Sequence, residues 1–374
     1  MFGKLFYRLL GASRFKHRGD RFFLENSFAK ALNEYRRARS ALPPSDYRVA
    51  TLDALIRECS VRIGVPIPAA DSEPPPSAVS GEDPSALPGI QDLFDLAVAD
   101  KPKERMRSYR GLGEEFQAGY VSLVQGDGET AARHLELAAR KNPAAFVLQL
   151  ELGRALSMTG DMERAREELT RAHQMSPQDK ELLNLLAAVD IELGRFEEAV
   201  GLLGPVVESK DIGPDTCFLL GKAFAGVGKK EQALEQYRRS VKFDSHFHEA
   251  YFEAAKILIE DGEATNAKRL LLRACALVPD EVSYNLELVR LVLDFRLEEE
   301  IGLEACDRLM VTDEEHQWQY LTWVAELYVR RGWRREARDP LRKALKLMPP
   351  DRSEERRELE RKLRELEGEA GGLS

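Results

Sequence analysis

Small and apolar positions recur along this chain with a period of 34 residues. Ala, Leu, Ala and Pro stand at identical offsets in four segments: Ala131/Leu135/Ala138/Pro143, Ala165/Leu169/Ala172/Pro177, Ala267/Leu271/Ala274/Pro279 and Ala337/Leu341/Ala344/Pro349. Stepping by 34 also finds Ala199 and Ala233. Twelve residues before each leading alanine sits a second small residue, Gly119, Gly153, Ala187, Gly221, Ala255 or Ala325. Between the two registers falls a turn signal: Gly126-Asp127, Gly160-Asp161, Gly194-Arg195, Gly228-Lys229, Asp261-Gly262 or Gly332-Trp333. A glycine at such a point stops one helix so that another can start. Each period therefore predicts a helical hairpin, with small residues where the two helices cross closely and a proline closing the second. The chain is predicted to be all-α.

One hairpin buries too little apolar surface to fold alone, so neighbouring units must stack. The pattern resembles the tetratricopeptide repeat (TPR) family, whose 34-residue signature has a small residue in the first helix, Ala then a large apolar residue in the second, and a closing Pro. The resemblance covers residues 112–351, about seven units. It implies an α-solenoid of stacked antiparallel hairpins wound into a right-handed superhelix. One unit departs from the signature: it carries Val289 and Ile301 at its small sites and has no closing proline, and the next unit is displaced by two residues.

Residues 1–64 read as a basic amphipathic helix followed by a divergent TPR-like hairpin, because Gly19, Ala31, Tyr35, Ala38 and Pro43 repeat the same offsets. Residues 65–91 read as a flexible linker, with seven prolines between Val65 and Gly89. The array occupies 92–351, and 352–374 form a charged capping helix, striped by Leu359, Leu363 and Leu366, with a tail.

A net charge of -9 conceals an asymmetry, since residues 1–64 carry +7 and the remainder -16. An acidic body argues against nucleic acid, which is bound largely through phosphate neutralisation. The four cysteines are isolated and read as reduced, buried thiols. Lys4 and Arg8 interrupt the first apolar stretch, so no bilayer-crossing helix or cleavable leader is expected, and the cytoplasm is the default location. His246 and His248 form an isolated pair without a third ligand, and no phosphate-cradling loop, nucleophile elbow or zinc motif occurs. No metal, cofactor or catalysis is expected.

Arrays of this kind curve, and first helices line the inner wall. Positions three before and one after each crossing residue share a helical face. They place Phe116 and Tyr120, Leu150 and Arg154, Phe218 and Lys222, Phe252 and Lys256, and Leu286 and Arg290 on that wall. A mainly apolar wall with a basic line suits a protein or peptide segment having apolar anchors and intervening acids. Leu150, Asn184 and Phe218 do not rebuild the carboxylate clamp that TPR chaperone-tail binders use. The expected function is that of an adaptor. Two alternatives stand beside it. Phe2, Leu5, Phe6 and Leu9, with Lys4 and Arg8 off their stripe, could rest on the inner face of an anionic membrane and localise an assembly factor. The array could also form a homo-oligomer.

Overall fold

The computed structural model describes residues 90–99, 101–208 and 212–368. The N-terminal amphipathic helix, the divergent hairpin and residues 65–89 of the linker lie outside these described residues. The helix α1 begins at Ile90, so the last two positions assigned to the linker are helical.

Seventeen helices follow one another among the described residues, with no strand. After α1 (Ile90–Val98) and α2 (Lys103–Arg110) come seven hairpins: α3 (Glu114–Gln125) with α4 (Gly128–Lys141), α5 (Phe146–Thr159) with α6 (Met162–Met175), α7 (Lys180–Glu192) with α8 (Phe196–Leu203), α9 (Pro214–Gly226) with α10 (Lys230–Phe243), α11 (His248–Glu260) with α12 (Ala264–Leu277), α13 (Val282–Phe295) with α14 (Glu299–Thr312), and α15 (Gln317–Arg330) with α16 (Arg338–Leu347). A last helix, α17 (Ser353–Gly368), buries Leu359 and Leu366 with Leu341, Ala344 and Met348 of the seventh hairpin.

The turns form as their residues dictate. At Gly126 the chain takes φ of 87°, its N–H returns to the Leu123 carbonyl at 3.1 Å, and that of Asp127 returns to Ser122 at 3.0 Å. Asp127 then caps α4 by accepting from the Thr130 N–H at 3.0 Å, and Asp161 plays the same part for α6. At the crossings, a Cβ built on Gly153 would lie 2.6 Å from Leu169 Cγ, and one on Gly221 would lie 2.6 Å from Tyr237 Cε1. These glycines are small because the facing second helix fills their space.

The sixth hairpin, α13–α14, corrects the sequence reading. Gly128, Met162, Phe196, Lys230 and Ala264 each follow their crossing residue by nine positions, whereas Glu299 follows Val289 by ten. One extra residue therefore lies in this turn, where Arg296 takes the left-handed conformation, φ 50° and ψ 50°. The register of α14 shifts by one: Gly302, Cys306 and Leu309 are buried, while Ile301 is only partly so. Gly302 is the small site, and a Cβ there would come within 3.0 Å of Leu327 Cδ1. The second displaced residue falls between Gly302 and Ala325, around the 3-10 turn Glu314–His316. At the crossing itself, Val289 and Cys306 stand where other hairpins pair Gly or Ala with Leu or Tyr. Bulk has moved from the second helix to the first with little change in total, which a core tolerates. A non-glycine residue in the left-handed region costs about 1–2 kcal/mol. We expect Arg296→Gly to stabilise the protein by about 0.5–1 kcal/mol, net of glycine's greater unfolded-state entropy. A raised urea midpoint, followed by tryptophan emission, would show it.

The described residues divide into two compact units, with the boundary between Leu202 and Leu203. Unlike the fourteen-residue α4, α6, α10 and α12, α8 has eight residues, because Gly204 and Pro205 end it.

Candidate functional site

In the first unit, Phe116 and Tyr120 stack one turn apart on α3, centroids 5.9 Å and planes 12° apart. Phe94 of α1 meets both edge-on at 6.3 and 6.0 Å, and Tyr109 of α2 does so at 5.2 and 4.9 Å. All four rings are buried. The Tyr109 hydroxyl donates to the Glu151 carboxylate on α5. Burial, then the Glu151 charge, pushes this phenol well above its ordinary pKa. Glu151 Oε2 faces Arg154 Nε at 3.2 Å, and Arg154 reaches on to Glu181 near the start of α7. Arg105 of α2 pairs with Glu181 and with Asp179, the α7 cap, while its guanidinium lies 5.8 Å from the Phe146 ring centroid. Lys101 approaches Glu181 at 3.7 Å. Thus α2 packs on the first helices of two hairpins and reaches the start of a third through Arg105.

Phe116, Tyr120, Leu150 and Arg154, expected to line a partner groove, are all buried within the first unit. Both aromatic rings and Arg154 belong to a network that ends on α2. Sequence reasoning passed over Arg105, Tyr109, Glu151 and Glu181. The available signal was Arg105 and Tyr109, four residues apart just ahead of the first repeat.

Burial works to raise the Glu181 pKa, but Arg154, Lys101 and Arg105 outweigh it and hold the carboxyl down to about 2. Its contribution to stability is therefore present above the unfolded value of about 4.3 and is lost as pH falls toward 2. The side chain is 33% exposed, and solvent screening reduces the contribution to about 2 kcal/mol. We expect Glu181→Gln to be less stable by about that amount at pH 7. The difference should close between about pH 4.5 and 2 in urea titrations at stepped pH; a constant difference would contradict it.

The second unit presents its predicted residues otherwise. Phe218 is buried against Tyr237 and Phe247, with centroids at 5.7 and 5.0 Å, and Lys222 is partly exposed. Phe252 is half-buried, its centroid 4.5 Å from that of Tyr284, whose hydroxyl lies 2.7 Å from His248 Nδ1. The Lys256 ammonium sits 5.7 Å from the Phe252 centroid and 2.9 Å from Glu253. Leu286 is half-buried, and the Arg290 side chain is 61% exposed, 3.9 Å from Glu287. Phe252, Lys256, Leu286 and Arg290 occupy matching positions on adjacent first helices.

Cys217, Cys275 and Cys306 are free and buried, and burial pushes the Cys275 thiol up to about 11 and that of Cys306 to about 12. Among the described residues, no helix is long and apolar enough to cross a membrane.

Tetratricopeptide-repeat family models match residues 116–180, 160–211 and 218–282. The TPR repeat-containing protein YpiA of Bacillus subtilis is 24% identical over 170 residues, 45% of this chain and 38% of that protein, so the match spans well under half of the relative's length. A tetratricopeptide repeat protein from Parabacteroides merdae superposes with a TM-score of 0.47 at 15% identity, covering 70% of this chain and 99% of that one. Pseudomonas aeruginosa pilF superposes with a TM-score of 0.48 at 19% identity, covering 57% and 95%. The repeat period, the glycine turns, the close crossings and the family matches agree, and the chain is a tetratricopeptide-repeat protein.

Proposed function

We propose that this protein is an adaptor whose second unit holds a peptide segment on the face formed by α9, α11 and α13. Tetratricopeptide repeats serve protein interaction, typically without catalysis, and the finer reading rests on one contrast. The first-helix positions of the first unit are filled by the chain's own rings and charges, whereas Phe252, Lys256, Leu286 and Arg290 keep surface for another molecule. Half-buried Phe252 and Leu286 offer apolar seats. Lys256 and Arg290 offer charge, and each now pairs with an acid three residues away on its own helix. Exposed pairs of this kind contribute about 0.5 kcal/mol or less, so a ligand carboxylate can replace the intrahelical partner at little cost. The favoured ligand carries aromatic or aliphatic anchors and intervening acids.

Panning a random displayed-peptide library on the full-length protein tests this. Selected peptides should be enriched in Asp or Glu beside apolar residues. The reversal Lys256→Glu with Arg290→Glu should abolish or invert that enrichment while far-UV circular dichroism stays the same. An unchanged selection on the reversed protein would place binding elsewhere.

A further inference from the structure

A helix that merely sealed the open end of the array would touch the first hairpin alone. Instead α2 contacts three: Tyr109 packs on Phe116 and Tyr120 of α3 and donates to Glu151 of α5, and Arg105 pairs with Asp179 and Glu181 at the start of α7. The two side chains stand four residues apart and so share one helical face. The surface beneath them is complementary, with stacked rings, then a buried carboxylate, then two carboxylates in sequence. The joint to α3 is Gly111-Leu112-Gly113, and Gly113 has φ of 85°, a conformation open to glycine. Such a joint can turn without disturbing α3.

We propose that this face of the first unit is a receptor for a short basic helix bearing Arg and Tyr four residues apart, and that α2 is its resident occupant. A partner segment of the same chemistry displaces α2 and takes over its ion pairs and its ring contacts. This goes beyond the reading of the second unit, whose basic line selects the opposite charge, and neither depends on the other.

The probe is a fluorescently labelled peptide with the sequence of Lys101–Leu112, added to full-length protein and followed by anisotropy. Arg105→Glu with Tyr109→Ala loosens the resident helix, and this variant should bind the probe at least about tenfold more tightly than the wild type, whose site is closed for most of the time. Adding Glu181→Arg to that variant should remove the gain. A variant of unchanged helicity that binds no better than wild type would overturn the proposal, as would equal binding of a probe carrying Glu and Ala at the two positions. Should the variant lose helicity, hydrogen exchange on the wild type decides. Amides of 104–110 opening well before those of α5 support a displaceable occupant, and equal protection identifies a fixed part of the core and refutes it.

Discussion

Gly153→Leu should destabilise the first unit by about 3 kcal/mol, at the upper end of what overpacking costs. The site leaves no room even for a methyl group: a Cβ would meet Leu169 at 2.6 and 2.7 Å and the Ala165 carbonyl at 3.2 Å. The first two contacts are with a branched side chain that is itself fully buried, and the third is with backbone that cannot swing aside. The helix propensity gained on leaving glycine, about 1 kcal/mol, is too small to compensate. If the clash is the cause, Leu169→Ala should recover part of the loss in the double variant, because it empties the volume that the new side chain needs. The three tryptophans, Trp318, Trp323 and Trp333, all lie in the second unit, so their emission midpoint should hardly move while the far-UV circular dichroism transition broadens or splits. A cost below about 1 kcal/mol would mean that the two helices can separate freely.

The crossing at Gly153 was legible because periodicity is a strong constraint. A small residue that returns every 34 positions through the first five hairpins, each time opposite Leu or Tyr, has few explanations besides close helix approach. The turn glycines were legible for the same reason, and at Gly126, Gly160, Gly194, Gly228, Gly262 and Gly332 each has positive φ. The sixth hairpin was half legible. Its spacing shows two extra residues, yet it points to Ile301 as the small site, whereas the turn slips the register to Gly302. Where an insertion falls depends on which residue accepts an unfavourable backbone conformation, and nothing about Arg296 announces that it does.

Less of the candidate site could be read. Helical register places side chains four apart together, and Phe116 does lie against Tyr120 and Phe252 near Lys256. What the register cannot say is whether another part of the same chain already covers that face. Residues 94–110 lie outside the repeat and carry no period. Glu151 and Glu181 look like any other carboxylate on helices rich in charge, and their burial depends on Tyr109 and Arg105, dozens of residues away in sequence. Charged residues are read as solvated by default, and the default fails where a non-local contact removes the water.

Arg154→Met should be among the most damaging single substitutions, at about 3–5 kcal/mol, because it strands a buried charge. Glu151 is 0% exposed, and with Arg154 gone it keeps the hydrogen bond from the Tyr109 hydroxyl but loses its countercharge. Even in the intact protein Glu151 Oε2 and Arg154 Nε face each other without a well-aligned hydrogen bond, so the pair leans on Coulomb attraction across a site that excludes water. Burial opposes the Arg154 charge, but Glu151 and Glu181 overcome it and raise the guanidinium pKa. The cost therefore belongs to separating the partners rather than to the pair as such. Replacing the whole group by apolar residues, Tyr109→Phe with Glu151→Leu and Arg154→Met, removes the stranded carboxylate and the hydroxyl that would lack an acceptor. This triple variant should return to within about 2 kcal/mol of the wild type, since buried ion pairs often yield to well-packed hydrophobic residues without loss. Glu181 retains Arg105 and Lys101 in that background, so α2 stays anchored to α7. Urea unfolding followed by far-UV circular dichroism separates the cases. A triple variant as unstable as Arg154→Met alone would show that the ionic network itself, and not the penalty of breaking it, holds the first unit together.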